Sequence, residues 1–343
     1  MALSRRAFLA ASAGAVCAPV RLGAETTSLT TGSIGHSIAH FPLYVGDQLG
    51  YFAKNGVDIG KVTEFSTGAL VATALTSGNL EIASSVITDV FSLAKAKRSV
   101  KIIAASVTQY YVDVVASRAF VQAAKLGEKA TVGEKIQALR GKSIGVTGPG
   151  SGTDALITYL LRLGNIDRTR DAQIVNLGAS IPAVLAALRS GRVDAVSFAW
   201  PLGQQAEAEG IGEIFISPAR GDVLEMRNEL QGVIFTTQEA IDRKRPSIVE
   251  FVRGYSAACQ EIVKEPARAQ ALLRGFYPAL DPRALERTLE IYRATSVPHT
   301  PMPSGVGFLR AVNFHKAAGL ISEEYGFEQL VATGVIEDAI RHR

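Results

Sequence analysis

The sequence predicts an α/β fold of two similar lobes, in which each lobe is a mainly parallel sheet flanked by helices and a hinge of two crossovers joins the lobes. Three observations lead to this prediction. Short apolar runs alternate with helical periods between residues 28 and 235, the pattern of parallel strands with connecting helices. One phrase occurs twice, at 74–81 and at 187–194. Two apolar segments, 112–120 and 230–238, flank the second lobe and resemble paired crossover strands.

The repeated phrase has the form A-L-x-S-G-x-[LV]-[ED] and marks the turn from a helix into a strand. Its leucine packs inward at the helix end, its serine and glycine form the left-handed stop, and its acid opens the strand. A connector of this kind is common, so the phrase alone leaves a chance similarity open. The matching strand and helix contexts on both sides favour two related lobes.

The individual elements follow from the same periodicities. The first lobe is predicted to contain strand 28–35, a helix with Pro42 in its first turn and a stop at Gly56, strand 57–65, helix 68–77, strand 81–87, helix 88–97 and strand 100–107. The second lobe is predicted to contain strand 142–147, helix 155–164, strand 172–178, helix 180–190 and strand 193–200. Beyond residue 235 the pattern is amphipathic and helical, so this tail should fold back on the first lobe.

The chain is predicted to consist of three parts, a signal peptide and two lobes. Residues 1–24 carry Arg5 and Arg6 before a short apolar run, which indicates a twin-arginine signal peptide, too short to span a bilayer. The first lobe is then 25–117 plus 234–343, and the inserted second lobe is 118–233. Lipidation at Cys17 is the alternative to simple cleavage, although Val16 occupies a position where a lipobox has a small residue.

Charge and cysteine content exclude several classes of function. Removal of residues 1–24 takes away three arginines and no acid, so the formal charge falls from +4 to +1. Nothing in that balance indicates a nucleic-acid partner. Only Cys259 remains in the mature chain, which excludes an intramolecular disulfide. The sequence contains no G-x-S-x-G motif, cysteine cluster or paired His/Asp metal set, so it predicts no catalytic residue, no metal and no cofactor.

The glycine-rich segment 148–154 follows a predicted strand and opens a predicted helix. A helix start offers unpaired N–H groups and a partial positive charge, so the segment favours a small anion or polar ligand. A phosphate loop would need a lysine where Thr153 stands, and the glycine spacing does not fit a dinucleotide fingerprint. A plain turn with a helix cap at Ser151 or Thr153 is the alternative.

Polar residues in both lobes lie after predicted strands or before helices, where ligands bind in open α/β sheets. Helix capping, surface exposure or core packing is the alternative for each of them, and stacking on a ligand is one role for the aromatic residues. A metal pair at 36–40 is disfavoured because Pro42 places the helix start after both histidines. The predicted ligand-binding residues are His36, Ser37, His40, Ser66, Thr67, Gly68, Ser85, Tyr110, Gly148, Ser151, Gly152, Thr153 and Trp200.

Four blocks of the chain resemble successive blocks of ABC-transporter substrate-binding proteins of the nitrate/sulfonate/taurine type, a group that includes binders of thiamine-pyrimidine precursors. The blocks are SIGHSIAHFPLYVGDQLGYFAKNGVDI, EFSTGALVATALTSGNLEIASS, LRGKSIGVTGPGSGTDALITYLL and SIPAVLAALRSGRVDAVSFAWP. The resemblance spans about residues 28–325 and implies a type II periplasmic binding protein fold that closes over a small solute. By position, the family's cleft loops fall at 36–40, 66–69, 84–85, 148–153 and Trp200.

The resemblance also implies a function and its partners. We expect a monomeric, non-enzymatic periplasmic protein that captures a small organic anion, a sulfonate or a carboxylate, and delivers it to an inner-membrane ABC permease. A pyrimidine precursor of thiamine or nitrate is the alternative ligand. A second class, an exported nucleotide-dependent oxidoreductase, is disfavoured by the glycine spacing at 148–152.

Overall fold

Two five-stranded sheets and one two-stranded sheet form the framework of the computed structural model, which describes residues 26–35, 37–126 and 130–341. The signal peptide predicted over residues 1–24 lies outside the described residues. The strands are β1 (Thr27–Ser28), β2 (Thr31–Ile34), β3 (Val57–Asp58), β4 (Thr63–Phe65), β5 (Ile82–Val86), β6 (Val100–Val107), β7 (Val112–Ser117), β8 (Ser143–Val146), β9 (Gln173–Asn176), β10 (Ala195–Ala199), β11 (Gly212–Ile216) and β12 (Gly232–Thr237).

Helices cover the sheets, and the C-terminal third of the described chain is almost entirely helical. The helices are α1 (Phe41–Gln48), α2 (Tyr51–Lys54), α3 (Gly68–Thr76), α4 (Ile87–Lys95), α5 (Arg118–Ala124), α6 (Val132–Ala138), α7 (Gly152–Leu163), α8 (Ile181–Arg189), α9 (Leu202–Ala208), α10 (Gln238–Lys264), α11 (Pro266–Phe276), α12 (Pro282–Thr295), α13 (Gly305–Ala317), α14 (Phe327–Leu330) and α15 (Thr333–Arg341). No helix in the described ranges is long and apolar enough to cross a membrane.

Each five-stranded sheet is mainly parallel, as predicted. The first has the order β4-β2-β5-β12-β6 and the second β11-β7-β10-β8-β9. Strand β12 runs antiparallel to β5 and β6, and β7 runs antiparallel to β10 and β11. The described part of each sheet therefore contains one antiparallel strand, and both of these strands adjoin a passage of the chain from one sheet to the other.

The predicted pairing of the two crossover strands is wrong. β7 lies inside the second sheet and β12 inside the first, so they do not pair with each other. All six residues of β7 and five of the six in β12 are buried, and a strand buried on both faces needs neighbours on both edges. The predicted limit at residue 117 put Val112–Ser117 in the first lobe, whereas the chain leaves the first sheet before this strand, at 108–111.

The repeated phrase has the predicted structure in both places. Helix α3 ends before Gly78, which has φ of +82°, and β5 follows; α8 ends before Gly191, which has φ of +71°, and β10 follows. The leucines of the phrase, Leu75 and Leu188, are both buried. Glycine adopts these positive φ values without the strain that a side chain adds.

Candidate functional site

A cavity of about 420 Å³ lies between the two five-stranded sheets. Most of its wall comes from residues at or after the carboxyl ends of parallel strands in both sheets, the position where open α/β sheets bind ligands. Tyr111 and Gln231 join it from the positions just before the antiparallel strands β7 and β12. The first lobe contributes residues after β2, β4 and β5, and the second contributes residues after β8, β9 and β10. Eight of the predicted site residues line this cavity: Ser37, Thr67, Gly68, Gly148, Ser151, Gly152, Thr153 and Trp200.

The start of α3 forms the first-lobe side of the cavity. Thr67 caps the helix, and its Oγ1 accepts the N–H of Leu70 at 3.3 Å. Gly68 opens the helix beneath the carboxylate of Asp89, because a Cβ built on this glycine would lie 2.2 Å from Asp89 Oδ2. The approach of the carboxylate therefore depends on the missing side chain at Gly68.

The glycine-rich loop between β8 and α7 forms the second-lobe side. Ser151 caps α7: its Oγ accepts the N–H of Asp154 at 3.2 Å and donates to the carbonyl of Gly148 at 2.7 Å. The Oγ1 of Thr153 accepts the N–H of Thr147 at 2.9 Å. These bonds give the loop a fixed shape before any ligand arrives, while the same hydroxyls remain on the cavity wall.

Aromatic side chains form part of the cavity wall. Trp200 is 2% exposed and donates from Nε1 to Asp113 Oδ2 at 2.8 Å. Its ring lies edge-to-face with Tyr111, with 6.4 Å between the ring centroids. Burial raises the pKa of Asp113 to about 7, although the hydrogen bonds from Ser217 and Trp200 oppose the shift. Trp200 is therefore a core residue and also part of the cavity wall. The sequence had left core packing and a contact with a ligand open as its two possible roles.

Four predicted residues do not line the cavity, and their contacts explain why. His40 is buried, with Nδ1 at 2.6 Å from Ser84 Oγ and Nε2 at 2.8 Å from the carbonyl oxygen of Ile34. Tyr110 is fully buried and donates its hydroxyl proton to the carbonyl of Gly152 at 2.5 Å. The other two are Ser66, which precedes the cap of α3, and Ser85, which donates to Asp89. His36 lies outside the described residues.

Two polar residues that sequence reasoning missed are central to the cavity. Asp89 lines it from the first turn of α4, and Gln231 lines it from the position before β12. Gln231 is fully buried, and its amide lies against the hydroxyl of Tyr110. That hydroxyl donates its proton to Gly152, so its oxygen can accept an N–H of Gln231. Neither residue stands in a motif, so no sequence pattern indicates a role for either of them.

The described residues contain no cluster of three or more His, Cys, Asp or Glu side chains that could hold a metal. Lysine, arginine and histidine are also missing from the described cavity wall, and its single charged group is Asp89. The rest of the wall combines hydroxyls and amides with the aliphatic and aromatic side chains of Ile34, Val86, Leu93, Val112, Ile181 and Phe198. The arrangement can hold a small organic molecule by polar contacts at one part and apolar contacts at another.

The fold and this cleft define a class, the two-lobe binding proteins of periplasmic type. Within that class the chain belongs to the NMT1-like family, whose model matches residues 22–274. No curated protein matches the chain. The predicted resemblance to substrate-binding proteins of the nitrate/sulfonate/taurine type is confirmed at this level.

Solved structures share the fold at low sequence identity. The alkanesulfonate-binding protein SsuA from Xanthomonas axonopodis pv. citri, bound to MOPS, is 17% identical with a TM-score of 0.68, over 91% of this chain and 99% of that one. The periplasmic nitrate-binding protein NrtA from Synechocystis PCC 6803 is 12% identical with a TM-score of 0.71, over 92% and 89%. The periplasmic aliphatic sulphonate binding protein SsuA from Escherichia coli is 16% identical with a TM-score of 0.67, over 89% and 91%.

Proposed function

We propose that this chain is the solute-binding component of an ABC importer and captures a small organic anion, a sulfonate or a carboxylate, in the cleft between its lobes. It would act in the periplasm after export by the twin-arginine route and pass its solute, as a monomer, to an inner-membrane permease. The observation that carries the proposal is the cavity of about 420 Å³ that both sheets line at the carboxyl ends of their strands. No enzymatic step is part of the proposal.

Hydrogen-bond donors on both sides of the cavity support an anionic head group. The starts of α3 and α7 both line it, and a helix start offers backbone N–H groups without an intrahelical partner. Thr67 and Ser151 cap these helices, although the Ser151 proton already goes to the carbonyl of Gly148. A helix start favours negative charge by about 0.3–1 kcal/mol, and each charge-assisted hydrogen bond adds about 1.5–3 kcal/mol. The buried amide of Gln231 lies on the same wall, beside the Tyr110 hydroxyl, and adds a polar group there.

The apolar wall supports an organic body rather than a bare inorganic ion. Ile181, Phe198 and Trp200 lie on the same cavity as the hydroxyl groups. Nitrate would leave most of this surface without a contact, whereas an aromatic or aliphatic body covers it. A neutral pyrimidine precursor could pack against the same apolar wall. Only the polar head group of the ligand therefore distinguishes it from an organic anion.

Mass spectrometry of the solute that co-purifies with the protein tests the proposal directly, followed by titration calorimetry with benzenesulfonate, benzoate and nitrate. A micromolar dissociation constant corresponds to about −8 kcal/mol, so loss of one head-group contact should weaken binding about 10-fold. Ser151→Ala removes a cap on the cavity wall, and Ser304→Ala is the matched control. Ser304 caps α13 in the same way but is exposed and away from the cavity.

The expected result is weaker binding for Ser151→Ala and unchanged binding for Ser304→Ala. Equal affinity in both variants and the parent would show that the solute does not contact the start of α7. A bound nucleotide or flavin in the mass spectrum would instead support the exported oxidoreductase.

A further inference from the structure

Asp89 places a negative charge in the cavity without a counter-charge. Its side chain is 8% exposed, and its carboxylate accepts the hydroxyl of Ser85 at 2.5 Å and the backbone N–H of Val86. No basic side chain stands among the described residues that line the cavity with it. A buried carboxylate is normally paired with a cation or neutralised, because desolvation disfavours its charged form.

The capping of α4 accounts for only part of the contacts that the Asp89 carboxylate makes. The bond from Val86 is the ordinary role of an acid in the first turn of a helix. Yet both carboxylate oxygens also lie over Gly68, at 2.2 and 2.4 Å from the position that a Cβ would occupy. Gly68 opens α3, and the proposed function assigns that same helix start to the anionic head of the solute. An ionised Asp89 would therefore repel the solute at its binding site.

The titratable groups around Asp89 do not remove this repulsion. Tyr111 lines the cavity, and burial raises its pKa to about 12, with the charge of Asp89 adding to the shift. His315 lies behind α4 with Nε2 at 2.7 Å from Thr88 Oγ1, and burial lowers its pKa to about 4, so it is neutral. His40 lies beyond β5 and bonds to that strand, while α3 and β5 themselves contain no titratable residue.

We propose that Asp89 is a specificity-determining residue that takes up one proton from solvent when the cleft binds an organic anion. This inference rests on the proposed function. The proton joins a carboxylate oxygen of Asp89, and the neutral carboxyl then donates a hydrogen bond toward the anionic head. One negative charge thus enters the cavity and one is neutralised. Monoanions are accepted, and dianions are rejected because a single proton cannot balance them.

The inference predicts a definite dependence of affinity on pH. Burial raises the pKa of Asp89 to about 6 in the free protein. Below that pH the group already carries its proton, so affinity should be constant. Above it, each binding event takes up one proton, so the affinity for an anion should fall about tenfold per pH unit. Calorimetry at about pH 7.5 in buffers of different ionisation enthalpy should register close to one proton taken up.

Titration of the parent and of Asp89→Asn with benzoate and benzenesulfonate, between about pH 5 and pH 8, tests the inference. Asn keeps the shape and removes the charge, so this variant should bind at pH 8 as tightly as the parent binds at pH 5, with no proton uptake. His36→Gln tests the rival source of a pH dependence, because a histidine titrates in the same range and His36 stands between the cavity residues Gly35 and Ser37 in the sequence. Whatever this substitution does to the affinity, the pH dependence of the parent should persist in it.

The outcomes separate this inference from the proposed function. Binding that is independent of pH in the parent overturns the inference alone, and so does a pH dependence that disappears in His36→Gln but persists in Asp89→Asn. Absence of anion binding at every pH overturns both. In urea unfolding, Asp89→Asn should be at least as stable as the parent above about pH 6. That result would show that a change in its binding does not come from an unfolded variant.

Discussion

Substitution of Gly68 by alanine tests whether the packing of Asp89 against α3 is as tight as the structure shows. The added methyl would meet three atoms of the Asp89 carboxyl group at 2.2–2.5 Å, distances at which one partner must move. The Asp89 side chain is short and held by Ser85 at 2.5 Å, so it can move only by giving up that hydrogen bond.

The expected cost follows from the groups involved. Loss of a buried hydrogen bond to a charged group costs about 1.5–3 kcal/mol, and the better helix propensity of alanine offsets less than about 1 kcal/mol. We expect the free energy of unfolding to fall by about 2 kcal/mol, measured by urea denaturation. Gly305→Ala is the matched control, since Gly305 opens α13 as Gly68 opens α3 and a Cβ there meets nothing within 4 Å.

A double-mutant cycle isolates the contact. In an Asp89→Ala background the methyl at Gly68 has no carboxylate to displace, so Gly68→Ala should lose its cost there and leave a coupling energy of about 2 kcal/mol. If Gly68→Ala unfolds like the parent and like Gly305→Ala, the carboxylate does not occupy the place assigned to it, and the account of the anion site is wrong.

Three further predictions concern stability, the aromatic wall and export. Stability should fall as pH rises from about 4 to about 7, because burial raises the pKa of Asp89 to about 6 and of Asp113 to about 7, so the folded state holds protons that the unfolded state releases. His315, whose pKa burial lowers to about 4, acts in the opposite direction but offsets only one of these two carboxyl groups. A urea series that shows no less stability at pH 7 than at pH 4 would contradict the prediction. Trp200→Phe keeps a ring in the wall but removes the hydrogen bond to Asp113, so it should lower the unfolding free energy by about 1–3 kcal/mol; identical denaturant midpoints would refute this. Replacement of Arg5 and Arg6 by lysine should leave uncleaved protein inside the cell on a fractionation blot, and unchanged periplasmic yield would remove the twin-arginine assignment.

The sequence predicts the fold wherever local chemistry determines the structure. Gly78 and Gly191 adopt the left-handed conformation that the repeated phrase requires, and Thr67 and Ser151 cap helices at the edge of the cavity as their positions after strands indicate. Such features depend on a few neighbouring residues, so a single sequence suffices to find them.

The remaining site residues depend on contacts that are distant in sequence. Tyr110 and Tyr111 are adjacent, yet Tyr111 lines the cavity while Tyr110 reaches the backbone of Gly152. Neighbouring residues of an extended chain point to opposite sides, so an error of one position reverses the assignment. Asp89 looks like an ordinary first-turn acid until α3 is placed against it, and Gln231 is significant only because two lobes meet at its side chain.

The position of β12 also determines the order in which the lobes can be completed. The second sheet is built from one continuous stretch, from Val112 of β7 to Ile216 of β11, so all its strands have been synthesised before β12. In the first sheet β5 and β6 do not pair with each other, and β12 fills the space between them. The first lobe therefore keeps two open strand edges until Gly232–Thr237 arrives, and we expect the second lobe to fold first although its sequence begins later.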